Sequence, residues 1–271
     1  MNELFFDLLR GIVLGAVQGL AEFFPVSSSG HLILVPILFG WPDQGLAFDT
    51  VLHLGTLGAL LWFFREDLIV LFRAAVGTGK EADEARGFGL KILAATVPAA
   101  LIALLANDWI EANLRSGFFV ALNLVVWGIV LFAADRASEK GSRLENLTKI
   151  SWKQALAIGF AQPLALFPGT SRSGITISAG LFSGLSRTAA ARFSFLLSIP
   201  ITALAGLHGA YEIASTGLPD GGFVLLIAGF LSALLFGLFA IRFLLSFVAK
   251  RRYDGFVVYR FILACAVTIL T

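Results

Sequence analysis

One polar segment of the chain combines an acid, three hydroxyls and a histidine in otherwise apolar surroundings. Its polar and small residues are Glu22, Ser27, Ser28, Ser29, Gly30 and His31. An ionised carboxylate in a long apolar run is costly unless it faces a wet cavity or a cation, so function is the first interpretation of Glu22. Serines that lead into a helix cap its N-terminus, where free N–H groups also bind anions. His31 can hold or pass a proton near neutral pH.

A second polar segment adds a cation. It comprises Thr170, Ser171, Arg172, Ser173 and Gly174. The planar guanidinium of Arg172 suits phosphate oxygens, and the glycines let backbone N–H groups approach a ligand closely. The structural alternative makes Arg172 a buried partner of Glu22. Under either interpretation the two segments lie together.

Three further residues are weaker candidates. Gln18 lies one helical turn before Glu22 and on the same helix face, although it could equally be an interhelical hydrogen-bond group. Asp49 and His53 are spaced by one turn on another apolar segment. These two could support the site from behind or help to hold a metal.

The composition places these residues in a membrane. Of 271 residues, 58% are hydrophobic and 14% are charged, and the mean hydropathy is +0.86. A water-soluble fold of this length has too little interior to bury so much apolar surface, so most of the surface must face lipid. The net charge of +2, with no basic stripe, argues against a nucleic-acid partner. The single cysteine excludes an internal disulfide.

Apolar stretches long enough to cross a hydrocarbon core predict six spans. They cover residues 47–64, 88–106, 116–134, 189–211, 222–245 and 255–271. Two further apolar regions, 4–39 and 154–185, are each interrupted by a cluster of Pro, Gly and Ser. Non-helical backbone at membrane depth persists only where protein or a wet cavity satisfies its polar groups, so we predict two re-entrant helix hairpins.

The two interruptions resemble each other. Segments 18–30 and 162–174 share Gln, Leu-Ala, Phe-Pro, Ser and Gly in the same order. Each half of the chain then holds one hairpin and three transmembrane helices, and an odd number of spans inserts the second half upside down. We therefore predict an all-α polytopic membrane protein with an inverted-topology repeat. Residues 1–145 form the first repeat and 146–271 the second, within one integral membrane domain.

The basic residues predict the orientation. Segments 65–91 and 135–153 hold five Lys or Arg each and 242–254 holds four, whereas 107–115 holds one and 212–221 none. Because cytoplasmic loops carry the excess of Lys and Arg, the first three segments are expected in the cytoplasm. Both termini then lie outside.

An acid, hydroxyls, an imidazole and a guanidinium around helix N-termini are the groups that phosphoryl transfer requires. The substrate would reach a site at membrane depth from the bilayer, so a lipid phosphate is expected. One alternative is a transporter or flippase of a lipid phosphate, because inverted repeats with broken helices also build transport sites. A structural membrane subunit is disfavoured by charged residues at membrane depth.

Four motifs together carry a family resemblance. They are Glu22-Phe-Phe-Pro-Val-Ser-Ser-Ser-Gly-His31, Pro168-Gly-Thr-Ser-Arg-Ser-Gly174, His53-Leu-Gly-Thr56 and Phe193-Ser-Phe-Leu-Leu-Ser-Ile-Pro200. They resemble the bacterial undecaprenyl-diphosphate phosphatase family, which is also known for bacitracin resistance. The resemblance implies hydrolysis of undecaprenyl diphosphate, which recycles the carrier lipid for peptidoglycan synthesis. It places the chain in the bacterial inner membrane, so the outer side on which the basic residues predict both termini is the periplasmic side.

The resemblance also implies roles for single residues. Glu22 matches the essential acid, Arg172 the phosphate-binding arginine and His31 the motif histidine. Ser28, or its neighbour Ser27, matches the serine that acts as nucleophile or phosphate binder. Serine attack and direct attack by water both stay open. The remaining residues expected to bind the phosphates are Ser27, Ser29, Gly30, Thr170, Ser171, Ser173, Gly174 and Gln18.

A divalent cation, Mg²⁺ or Ca²⁺, follows from the resemblance as well. Glu22 and Asp49 are its candidate ligands. Gln18 stands where some family members carry a glutamate, which weakens any scheme with two carboxylates from one helix on the metal. The expected partners are the lipid diphosphate and the bilayer, and a homodimer stays open.

Overall fold

A computed structural model describes residues 2–42, 45–114, 116–139, 143–216 and 222–271. In this part of the chain the regular elements are helices and no strand forms, which confirms the all-α prediction. Arg115 and residues 217–221, which enter the orientation argument, lie outside the described residues. The α-helices are α1 Asn2–Phe23, α2 Ser28–Phe39, α3 Gly45–Phe63, α4 Arg65–Val76, α5 Lys80–Leu114, α6 Gly117–Ala137, α7 Trp152–Ala161, α8 Arg172–Phe182, α9 Arg187–Thr216, α10 Gly222–Val248 and α11 Asp254–Leu270.

Several of these helices are long and apolar enough to cross a membrane. In the described residues five pass on length and composition alone, namely α1, α5, α6, α9 and α10. A sixth passes if α3 and α4, bent by 74° at their junction, are taken together. The prediction of a multi-span membrane protein is thereby confirmed in its coarse form.

One segment that the sequence predicts as a loop is mostly helical. Residues 65–91 contain α4 and the first turns of α5. Their charges lower the hydropathy below that of a span, but they do not prevent a helix, because Glu66 and Asp67 occupy the first turn of α4, where acids are favourable. Phe72 and Val76 on α4 are largely exposed. The segment is therefore mostly helix that carries both charged and apolar side chains, and not irregular chain.

Both predicted interruptions are real breaks in helical structure. The first lies between the end of α1 at Phe23 and the start of α2 at Ser28. The second lies between α7 and α8, where a short 3-10 helix over Gln162–Leu166 is followed by non-helical chain up to Ser171. Pro25 and Pro168 stand within these breaks, where their missing N–H groups cost no helical hydrogen bond.

Small residues pack α1 closely against α10. A Cβ atom added at Gly11 would lie 2.7 Å from the carbonyl oxygen of Leu225, and one at Gly19 would lie 2.7 Å from that of Ala233. The contacts advance in the same direction along both helices, so α1 and α10 run parallel. Phe23, at the end of α1, packs edge to face on Phe195 of α9 at 5.3 Å. These contacts hold the end of α1, where Glu22 lies.

A charged cluster joins the segments that carry the basic residues. Buried Asp135, at the end of α6, accepts hydrogen bonds from Arg187 of α9 and from the backbone N–H of Tyr253 at 3.0 Å. Exposed Glu139 accepts from Arg187 at 3.0 Å and also pairs with Arg252. The Arg187 hydrogen bond lowers the pKa of Glu139 below its ordinary value. The predicted cytoplasmic segments 135–153 and 242–254 therefore meet at one end of the molecule.

Candidate active site

The two breaks meet and exchange hydrogen bonds. The hydroxyl of Ser29 accepts a hydrogen bond from the backbone N–H of Gly169 at 3.3 Å. In the other direction, the hydroxyl of Ser173 donates to the backbone carbonyl of Phe24 at 3.0 Å. Each break thus contributes a serine that binds the backbone of the other. The expectation that the two polar segments lie together is met by this geometry.

The two breaks also share one local conformation. Ser27 has φ 75° and Ser171 has φ 74°, in the left-handed region that residues with a side chain rarely adopt. Each caps the helix that follows it, by accepting a hydrogen bond from Gly30 N at 3.4 Å or from Gly174 N at 3.1 Å. The sequence predicts a serine cap after the first break, whereas the cap at Ser171 and the strained backbone appear only in three dimensions. Such strain is typical of functional sites.

The carboxylate of Glu22 connects the breaks. Its Oε1 accepts a hydrogen bond from Nη2 of Arg172, which starts α8. Its Oε2 accepts one from the hydroxyl of Ser28, which starts α2, at 2.9 Å. Arg172 Nη1 also donates to Thr202 of α9 at 2.6 Å. Glu22 is buried, while the side chains of Ser28 and Arg172 are only partly so.

Gln18 supplies a third contact to the carboxylate and leaves one oxygen free. Its Nε2 donates to Glu22 Oε2 at 3.1 Å. Its Oε1 is buried and has no hydrogen-bond partner among the described residues. The free Oε1 of Gln18 and the nearby carboxylate of Glu22 are oxygen ligands of the kind that a hard cation such as Mg²⁺ prefers. Mg²⁺ takes few protein ligands and completes its shell with phosphate oxygens and water.

The described residues contain no group of three or more His, Cys, Asp and Glu side chains that could hold a metal by themselves. Asp49 lies on α3, one turn before His53, and its carbonyl oxygen accepts a hydrogen bond from His53 Nδ1 at 2.7 Å. The structure does not join Asp49 with Glu22 in a ready-made metal cluster. Any cation at this site would rely on Glu22, Gln18 and the substrate.

The two motif histidines occupy different positions. His31 Nδ1 donates to the carbonyl of Ser27 at 2.7 Å, and its Nε2 accepts from the hydroxyl of Tyr259 at 2.7 Å. Both ring nitrogens of His31 are therefore engaged. His53, in contrast, places its Nε2 at 3.7 Å from Glu22 Oε2. The imidazole that faces the carboxylate is that of His53.

The other predicted phosphate-binding residues lie in the two breaks or in the first turns of the helices that follow them. The hydroxyls of Ser27 and Ser29 lie 3.1 Å apart, as do those of Ser171 and Ser173. Thr170 is buried, and its hydroxyl has no partner in the described part of the chain. Gly30 and Gly174 lie in the first turns of α2 and α8.

Sequence reasoning missed three residues at the site. Arg260, on α11, is fully buried and binds backbone carbonyls of both breaks. The signal that found Glu22, an ionisable residue in an apolar span, was also present for Arg260. Thr202 and Tyr259 carried no comparable signal, because only the tertiary structure brings them to Arg172 and His31.

This arrangement has the parts of a nucleophilic site. A serine hydroxyl donates to a carboxylate that could take its proton, and a guanidinium from the other break binds the same carboxylate. Arg172 and the N-termini of α2 and α8 supply positive charge around the serine. The groups suit transfer of an anionic phosphoryl group.

Comparison with protein families gives a match that spans most of the chain. The family described as bacitracin resistance protein BacA matches residues 11–266. That range includes both breaks and α11 up to Ala266.

Curated relatives match at similar length. The undecaprenyl-diphosphatase of Teredinibacter turnerae is 43% identical over 259 residues, which cover 95% of this chain and 97% of that protein. The undecaprenyl-diphosphatase of Hahella chejuensis is 43% identical over 263 residues, 96% of this chain and 97% of its own. That of Rubrobacter xylanophilus is 44% identical over 270 residues, 97% of this chain and 98% of its own.

Proposed function

The chain belongs to the family of bacitracin resistance protein BacA, and from that premise we propose that it hydrolyses undecaprenyl diphosphate to undecaprenyl phosphate and inorganic phosphate. The relatives named undecaprenyl-diphosphatase support this substrate. The observation that carries the proposal is the contact of Glu22 with Ser28 from one break and Arg172 from the other. In the cell, the activity would recycle the carrier lipid for peptidoglycan synthesis and confer bacitracin resistance.

In the proposed first step, Ser28 is the nucleophile. Its Oγ attacks the terminal phosphorus while Glu22 takes the hydroxyl proton. The 2.9 Å hydrogen bond from the Ser28 hydroxyl to Glu22 favours proton transfer in this direction. The new bond joins Ser28 Oγ to the terminal phosphorus, and the bond from that phosphorus to the bridging oxygen breaks. Undecaprenyl phosphate leaves with the bridging oxygen. Arg172 and the N-terminal N–H groups of α2 and α8 stabilise the charge on the transferred group.

In the second step, water attacks the phosphoserine. As the bond between phosphorus and Ser28 Oγ breaks, Glu22 returns to Oγ the proton that it took in the first step. One proton of the water stays on the inorganic phosphate, and the other is released to solvent. Inorganic phosphate leaves and the serine hydroxyl is restored. His53, at 3.7 Å from Glu22, supports the same carboxylate from α3.

A divalent cation would be held by Glu22 together with the orphaned Oε1 of Gln18. Bound there, Mg²⁺ or Ca²⁺ would neutralise negative charge on the diphosphate. A chelator is therefore expected to lower turnover, and added Mg²⁺ or Ca²⁺ to restore it.

The proposal extends to the architecture. We take the two halves, 1–145 and 146–271, as an inverted repeat whose re-entrant hairpins meet at the site. The matched φ angles of Ser27 and Ser171 and the reciprocal bonds of Ser29 and Ser173 support this relation. The basic segments support an orientation with both termini on the periplasmic side of the inner membrane.

The similarity of the two breaks also favours a second candidate, a flippase or transporter of a lipid phosphate. Paired broken helices that meet are how many transporters build a binding site. A transporter needs Arg172 for the anion, but it needs no hydroxyl poised on a carboxylate. The Ser28 contact therefore favours the enzyme.

Phosphate release from undecaprenyl diphosphate by the purified protein in detergent tests the proposal. The wild type should release phosphate, and Arg172→Ala should lower kcat/KM by about 100-fold or more, because a donor to the transition-state charge is lost. Arg73→Ala is the matched control, since Arg73 is an exposed arginine in the last turn of α4 and belongs to neither break. A wild-type protein that binds the lipid but releases no phosphate would favour the transporter instead.

A further inference from the structure

Arg260 is the most completely buried cation in the described part of the chain, and the proposed chemistry does not use it. It lies in the middle of α11, an otherwise apolar helix, and its exposure is 0%. The ion pairs of the described residues do not include Arg260. A buried guanidinium without a carboxylate is costly, so its other contacts must compensate for the lost hydration.

Backbone carbonyl groups provide that compensation. Nε donates to Leu124 O at 3.0 Å and Nη1 to Pro25 O at 3.1 Å. Nη2 lies within hydrogen-bond distance of three further carbonyl oxygens, those of Asn123 at 3.2 Å, Gly169 at 3.0 Å and Thr170 at 3.1 Å. Only the planar fork of an arginine offers donors in enough directions for such a set.

These carbonyls belong to three separate segments. Pro25 lies in the first break, three residues before Ser28, and Thr170 lies in the second break, two residues before Arg172. The third segment is α6, which holds the second break independently, because Asn123 Nδ2 donates to Pro168 O at 2.9 Å. Arg260 therefore bonds the chain just before each of the two side chains that meet at Glu22.

Gly174 leaves room for this side chain. A Cβ atom there would lie 3.3 Å from Arg260 Nη1, which is tighter than an ordinary van der Waals contact. The neighbouring Tyr259 binds His31 on α2. Two consecutive residues of α11 thus reach both breaks.

We propose that Arg260 is a positioning residue, whose guanidinium holds the two breaks at the spacing at which Ser28 and Arg172 both reach Glu22. It acts through those residues and does not touch the substrate. The inference rests on the proposed phosphatase function. A displacement of about 1 Å in such an arrangement is enough to cost about 100-fold in turnover.

The test compares Arg260→Lys with the wild type in phosphate release from undecaprenyl diphosphate. Lysine keeps the charge but cannot bind carbonyls of three segments at once, so kcat should fall about 100-fold. KM should change by less than about threefold, because the groups that bind the lipid remain. A raised KM with normal kcat would mean that Arg260 binds the substrate. Normal kcat and KM would mean that Arg260 has no part in positioning the two breaks. Either result overturns the proposal.

Asp135→Asn separates positioning from general stability. Asp135 is also buried and bonds several segments, but it lies in the charged cluster away from the breaks. This variant should lower the melting temperature and keep kcat within about twofold of the wild type. If Arg260→Lys behaved in the same way, with loss of melting temperature alone, Arg260 would be merely structural.

Asn123→Ala provides the second variant, should Arg260→Lys fail to fold. It removes the side chain by which α6 holds the second break and leaves Arg260 in place. We expect kcat to fall about tenfold at nearly constant KM. Unchanged kcat in this variant, with Arg260→Lys unfolded, would contradict the proposal. Failure of the wild type to release phosphate would instead refute the phosphatase function itself.

Discussion

Glu22 accepts hydrogen bonds from Ser28, six residues later in the chain, and from Arg172, 150 residues later. These two contacts join the two breaks into one site. The sequence predicts Glu22 and Arg172 because a charge in an apolar run is costly. The same argument applies to Arg260, but its segment otherwise has the composition of an ordinary span and contains no break to mark a site. The sequence also offers His53 as a weaker candidate, but only the packing of α3 shows that it faces Glu22. Thr202 joins the site only through the packing of α9, which the sequence does not specify.

The role of Ser28 can be tested by trapping the intermediate. With lipid labelled in its terminal phosphate, the wild type quenched in acid should carry label on Ser28. Ser28→Ala should carry none and lose about 100-fold or more in kcat, because the nucleophile is removed. Ser29→Ala is the control that should keep the label, since the Ser29 hydroxyl bonds Gly169 and not the carboxylate. A Ser28→Ala protein with most of its turnover would show that water attacks directly.

At the scale of elements, the sequence predicts the two breaks, but it does not predict the helix α4 or the packing of α1 against α10. Proline, serine and glycine clusters correctly located both interruptions and the serine cap of α2, but the matching cap of α8 at Ser171 was not predicted. The helix α4 was predicted as loop, because its charges hide an amphipathic pattern from a search for spans. The spacing of Gly11, Gly15 and Gly19 was visible in the sequence, but the partner helix α10 lies some 200 residues later in the chain.

Because α1 packs so closely on α10, a methyl group added at Gly19 of α1 should affect catalysis at a distance. A Cβ at Gly19 would lie 2.7 Å from Ala233 O and 2.8 Å from Gly237 N, so Gly19→Ala must push α1 away from α10. Overpacking of this kind costs about 1–3 kcal/mol of stability. Glu22 follows on the same helix, so kcat should fall at least about tenfold. Gly87→Ala is the matched control, because a Cβ there meets nothing within 4 Å, and its kcat and melting temperature should not fall.

A Gly19→Ala protein with wild-type kcat would contradict the idea that α10 sets the position of Glu22. Thermal unfolding in detergent, measured beside the kinetics, separates lost stability from misplaced chemistry.

At the scale of the whole molecule, helix direction and charge lead to the same topology. The contacts of α1 with α10 run parallel, so the N-terminus lies at the end where α10 begins. The charged cluster of Asp135, Glu139 and Arg187 lies at the opposite end, where α10 finishes and the basic segments meet. Composition alone predicts that lipid surrounds most of the protein surface. Support for the proposed repeat of the two halves comes only from the contact between the two breaks.

This topology predicts where the C-terminus lies. A reporter fused after Thr271 should be active only in the form that works in the periplasm, because α11 leads away from the basic segments. The control is the same reporter inserted between Thr78 and Gly79, which should be active only in its cytoplasmic form. A C-terminal reporter active in the cytoplasm would overturn the orientation and leave the site unaffected.

The central claim is that the carboxylate of Glu22 drives phosphoryl transfer through its contacts with Ser28 and Arg172. The most direct measurement is kcat for phosphate release from undecaprenyl diphosphate by Glu22→Gln beside the wild type. Glutamine keeps the size of the side chain and loses the base, so kcat should fall about 1,000-fold. A folded Glu22→Gln protein with a kcat within about threefold of the wild type would contradict the account.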